Sequence, residues 1–74
     1  MDSHVMLNAL FPVHVRACLT LPHGGEYILE TLSRYPRITR RMYVRAVLRA
    51  LQDRDPGVGY RQDDAHGDPC IYKP

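Results

Sequence analysis

Apolar and polar positions along the chain fall into distinct patterns punctuated by proline and glycine. Between Pro12 and Pro22, the segment VHVRACLTL places Val13, Val15, Ala17, Leu19 and Leu21 in strict alternation with His14, Arg16, Cys18 and Thr20. Period two sustained over this length predicts a β-strand over 13–21 with one buried face. Upstream, Ser3 is placed to cap a short helical turn that gathers Met6, Leu7, Leu10 and Phe11 before Pro12 ends it, so residues 1–12 read as an N-terminal extension. Downstream of His23-Gly24-Gly25, Ile28, Leu29, Leu32 and Tyr35 recur at helical spacing as far as Pro36, with Glu26 in the first turn. This predicts a helix over 25–35 whose acid lies at the favourable end of the dipole.

A second helix is expected from RITRRMYVRAVLRAL, residues 37–51. Thr39 is the expected N-cap, with Ile38 and Tyr43 spaced as a hydrophobic staple, and the helix is expected over 39–54. At about 100° per residue, Tyr43, Val44, Val47, Leu48, Ala50 and Leu51 share one face, while Arg41, Arg45 and Arg49 share the opposite one. Asp55-Pro56-Gly57 stops it, because proline cannot continue a helix and glycine releases the chain. Residues 55–74 hold two strand-like pieces, Val58 to Gln62 and Cys70 to Lys73, around a polar DDAHGD turn. They read as a hairpin or as an acidic, loosely ordered tail, and the repeated Asp, Gly and Pro favour the tail.

Length adds a constraint. A chain of 74 residues buries only about 60% of the surface its unfolded form exposes, so it is marginal alone. Cys18 and Cys70 are too few for a disulfide scaffold and lack the paired spacing of a zinc site, which leaves oligomerisation as the expected remedy. No apolar run approaches the roughly 20 residues of a membrane helix, and the start MDSHVMLNALF has an acid where a signal peptide has a basic region. The expectation is a cytoplasmic protein with reduced thiols and no membrane partner.

Charge is unevenly spread. Residues 13–51 carry seven arginines against Glu26 and Glu30, a net of +5, whereas residues 52–74 carry Arg54, Arg61 and Lys73 against five aspartates, a net of −2. Arg41, Arg45 and Arg49 repel one another at spacing four, with no acid in the helix body to compensate them. Partners for Arg45 and Arg49 are sought in Glu26, Glu30 or the acidic tail.

Strand, helix, tight connection and basic capped helix together resemble the ribbon-helix-helix repressors of the Arc and MetJ type, over about Val13 to Leu51. The carriers are VRACLTLP, a strand ending in a Leu-Pro step, and ITRRMYVRAVLRAL. The resemblance implies an α+β, mostly α fold: an intertwined homodimer with a β-α-α domain over 13–54, an extra N-terminal segment and a C-terminal tail. It implies that Ala17, Leu19 and Leu21, with Tyr43, Val44, Val47, Leu48 and Leu51, build a dimer core. Arg16, Cys18 and Thr20, on the other face of the ribbon, would contact bases in the major groove. Phosphates would be held by Thr39, Arg40 and Arg41 at the helix start, and by His14.

The implied function is a homodimeric, sequence-specific DNA-binding transcriptional regulator, a repressor of the kind found in plasmid and mobile-element control. One alternative is a winged-helix nucleic-acid-binding protein. Its order is helix, strand, helix, helix, strand, strand, and the 13–21 strand would pair with Val58 to Gln62 inside one chain. Another is an antitoxin-like interaction module whose residues 53–74 fold on a protein partner. No catalytic spacing links a serine or cysteine to a histidine and an acid, so no enzyme activity is expected. The Asp63, Asp64, His66 and Asp68 cluster lacks an EF-hand register and reads as a solvated turn, so neither a metal nor another cofactor is expected.

Overall fold

The computed structural model describes residues 3–62 and 68–74. Helix α1 spans Ser3–Leu19, followed by strand β1, Glu26–Ile28, and a 3-10 helix, Glu30–Arg34. Helix α2 spans Arg37–Gln52, and strands β2, Gly59–Gln62, and β3, Pro69–Tyr72, complete the chain. The strands form one antiparallel sheet in the order β1-β3-β2. This small α+β fold replaces the ribbon-helix-helix homodimer expected from the sequence. Its element order matches the winged-helix alternative only with the 3-10 helix standing in for the second helix, and the first strand is Glu26–Ile28, which pairs with β3 rather than with residues 58–62.

The expected strand over 13–21 is the second half of α1 and the turn that follows it. Two of the residues counted as polar in the alternation, His14 and Cys18, are buried, whereas Val13 is exposed. Leu7, Phe11, His14, Val15 and Cys18 recur at three- and four-residue intervals, and this helical stripe faces the core. Pro12 lies within the helix on its exposed side, as does Asn8, so the carbonyl that proline leaves unpaired is on the wet face. Residues 1–12 are thus no separate extension; from Ser3 they belong to α1.

The helix expected over 25–35 divides into β1 and the 3-10 helix. Gly24 has φ of 84°, the left-handed region where glycine is favoured, and its N–H donates to the Lys73 carbonyl at 2.7 Å. The Lys73 N–H returns a bond to the Gly25 carbonyl at 2.9 Å, so the edge strand is held to β3 from its first residues. Tyr35 is extended before Pro36, as the residue ahead of a proline prefers.

Residues 59–62 and 69–72 are paired antiparallel strands, so the two strand-like pieces follow the hairpin reading and not the loose tail that composition favours. Pro69 stands at the first residue of β3, where its missing donor is tolerated. Pro69, Cys70 and Ile71 are all buried, because β3 is the central strand. Gly59 leaves room for the Tyr72 ring: a Cβ there would lie 2.8 Å from a ring carbon of Tyr72, so a side chain at this position requires that ring to shift. Asp63, Asp64 and His66 lie outside the described residues, and Asp68 is buried rather than solvated.

The core forms within one chain. Leu7 and Cys18 of α1 meet Tyr43, Val44, Val47 and Leu51 of α2, with Leu29, Leu32, Val58 and Ile71 closing the sheet side. The residues assigned to a dimer core are therefore intramolecular: Tyr43, Val44, Val47 and Leu51 are buried, while Ala17, Leu19, Leu21 and Leu48 are half-buried. Between the two helices, His14 Nδ1 lies 2.6 Å from the Tyr43 hydroxyl. The Tyr43 ring also meets Phe11 edge-to-face at 6.1 Å. Burial holds the His14 imidazole below its usual 6.5 and pushes the Tyr43 phenol up to about 12, so the pair is neutral.

Candidate nucleic-acid interface

Helix α2 begins two residues earlier than its sequence suggests. Pro36, at φ −59° and ψ 153°, occupies the N-cap position, and its carbonyl accepts the first helical bond from the Arg40 N–H at 3.0 Å. Thr39 is then the third helical residue rather than the cap, and Ile38 is 70% exposed rather than stapled to Tyr43. No side chain caps the first turn and no acid stands in it, so its amide N–H groups face an electropositive, uncompensated end.

One face of α2 is anchored by Tyr43, Val44, Val47 and Leu51. The opposite face exposes Arg37, Ile38, Arg41, Met42, Arg45, Ala46 and Arg49. Two shallow depressions follow this outer face, one lined by Arg37, Ile38, Arg41, Met42 and Arg45, the next by Met42, Arg45, Ala46, Arg49, Ala50 and Asp53. On the flank towards the sheet, a groove of about 350 Å³ is lined by Arg37, Arg40, Arg41, Val44, Tyr60, Gln62 and Pro69. It continues into a smaller hollow bounded by Arg41, Val44, Arg45, Leu48 and Tyr60.

Among the described residues, none of these arginines has an acid within ion-pair distance; the described pairs are Arg61 with Glu26 and Lys73 with Asp55, the latter at 3.5 Å. Glu26, expected as a partner of Arg45 or Arg49, is instead taken by Arg61 across the sheet, above Cys70. The like-charge spacing of Arg41, Arg45 and Arg49 therefore stays uncompensated within the described structure.

The structure separates the residues first proposed for DNA contact. Arg40 and Arg41 stand together at the groove; Thr39 is half-buried beside them in the first turn. The base-contact set is dispersed around α1. Arg16 is exposed in its last turn, where a cation suits the helix dipole. Cys18 is 2% exposed in the core, with its thiol pushed up to about 11 by burial. Thr20 turns its hydroxyl inward along the chain, donating to the Ala17 carbonyl at 2.8 Å. His14, proposed for phosphate, is occupied in the core by Tyr43.

Arg37, Tyr60 and Gln62 line the same groove without standing out in the sequence. A helix start at Thr39 leaves Arg37 outside the helix. Tyr60 and Gln62 stand two apart in β2 and so share one side of the strand, a signal present in the sequence once residues 58–62 are taken as paired. Among the described residues, no group of three His, Cys, Asp or Glu side chains is placed to hold a metal ion, and no helix is long and apolar enough to cross a membrane. Comparison with protein-family models, with characterised proteins and with solved structures finds no match.

Proposed function

We propose that this chain is a DNA-binding regulator of the winged-helix kind, which lays α2 in the major groove of duplex DNA. The observation that carries the reading is the outer face of α2: a line of arginines, unpaired with any acid among the described residues, on a helix braced from behind by the core. A polyanion compensates such a stripe where the chain itself does not, and the major groove admits one α-helix. Arg41, Arg45 and Arg49 supply phosphate or guanine contacts. Ile38 and Met42, 70% and 69% exposed, supply apolar contact to base edges such as the thymine methyl. Reading bases thus passes from residues 16–20 to α2.

The proposal includes a second copy and a cytoplasmic setting, in which both free cysteines stay reduced. The outer side of α1 exposes Val5, Met6 and Val13, and the only permanent charge along that helix is Arg16. With a single arginine, this surface repels its own copy less than the arginine face of α2 does.

Fluorescence anisotropy with a blunt duplex tests the reading. Affinity is expected to fall steeply with salt, and Arg45→Ala and Arg49→Ala each lower the salt slope by about one. Binding that is insensitive to salt and to both substitutions refutes it.

A further inference from the structure

The groove between α2 and β2 differs chemically from the outer face of α2. Arg37, Arg40 and Arg41 bring three guanidinium groups to it, the buried Val44 and Pro69 line its apolar part, and Tyr60 and Gln62 border it from β2. At about 350 Å³ it falls in the size range of small-ligand sites.

A continuous duplex makes poor use of such a groove. Its bases are stacked on one another and offer only their edges, whereas Tyr60, 49% exposed, brings an aromatic ring to the groove. A ring beside clustered guanidiniums suits a nucleotide whose base has left the stack: the π-face of any base packs on tyrosine, and the arginine forks match phosphate oxygens.

We propose that this groove holds one unpaired nucleotide, with its phosphate on Arg37, Arg40 and Arg41 and its base against Tyr60. The preferred DNA is then a duplex that continues into a single strand, rather than a blunt or continuous duplex. This inference rests on the reading of α2 as the duplex-binding helix and names the kind of DNA it selects.

The test compares three fluorescent DNAs against the full chain by anisotropy: a blunt duplex, the same duplex with a short overhang, and the overhang strand alone. The overhang duplex is expected to bind about tenfold tighter than the blunt one, the scale of one stacked base. Tyr60→Leu, which keeps apolar bulk without a ring, brings the ratio close to one; Tyr60→Phe retains it. Equal affinity for blunt and overhang duplexes overturns the inference, as does a preference that survives Tyr60→Leu. Arg45→Ala is expected to weaken blunt and overhang duplexes alike, with their ratio kept. If it leaves blunt binding unchanged, the duplex reading fails on its own, and a ratio that still depends on Tyr60 then supports the groove.

Discussion

Helices α1 and α2 are nearly equal in length and pack on one another over a shared core, yet they distribute polarity in opposite ways. In α2, every fully buried side chain is apolar or aromatic and every arginine lies outside or at the rim. In α1, the buried stripe includes His14 and Cys18, while Val5 and Val13 are exposed. The contrast teaches that a helix buries what its packing geometry points inward. A neutral imidazole is admitted to that interior once its nitrogen has a partner, here the Tyr43 hydroxyl.

The sharpest way to break the comparison is to open the shared core. Leu51→Ala, at a fully buried site, is expected to cost about 2–5 kcal/mol in urea denaturation. Val13→Ser on the outer side of α1 is expected to stay within about 0.5 kcal/mol when the chain is monomeric. Similar losses at the two sites would mean that the outer side of α1 is as buried as the core.

Next in size is the contact joining the two helices. Tyr43→Phe leaves His14 Nδ1 buried without its partner and is expected to cost about 1–3 kcal/mol. The same pair shapes the pH profile. His14 has a lower pKa folded than unfolded, so its contribution is complete above pH 6.5 and is lost as pH falls from there through its folded value. Cys18 and Tyr43 behave oppositely, since burial raises them from 9.0 to about 11 and from 10.0 to about 12. Their contributions are complete below those ordinary values and are lost as pH rises through the raised ones. Denaturation series from pH 5 to 11 should therefore show a plateau between two declines, and His14→Gln should flatten the acid one.

Smaller effects separate the faces that meet solvent. Arg45→Gln relieves repulsion from Arg41 and Arg49 and is expected to raise stability by about 0.5 kcal/mol while weakening duplex binding. A loss of stability would show that Arg45 has a structural partner. On α1, a melting temperature that rises with protein concentration, and ceases to do so in Val13→Glu, is expected if a second copy sits on that face.

The two helices also mark how far the residues could be read in advance. Tyr43, Val44, Val47 and Leu51 declare a core face through spacing and polarity together, and the structure places them in the core. Residues 13–21 misled because alternation of apolar and polar residues is also met when a helix exposes valine and buries histidine and cysteine. Thr39 misled because its competence as a cap said nothing of Pro36, whose carbonyl takes the first helical bond. Val58, Cys70 and Ile71 suggested strands, but acids and glycines around them argued for looseness until burial beneath the helices is known.

What the sequence determined by itself is therefore the amphipathic arginine helix, though it ends at Gln52, two residues short of the expected Arg54, and the uneven charge of the chain, because these depend on neighbours within a turn or two. Tertiary structure alone decided that residues 13–19 are helical, that Glu26–Ile28 pairs with β3 more than forty positions away, and that Tyr60 and Gln62 border the arginines of α2. Those outcomes depend on which surfaces are covered once the elements pack, and a hydroxyl twenty-nine positions distant is what makes a buried histidine affordable.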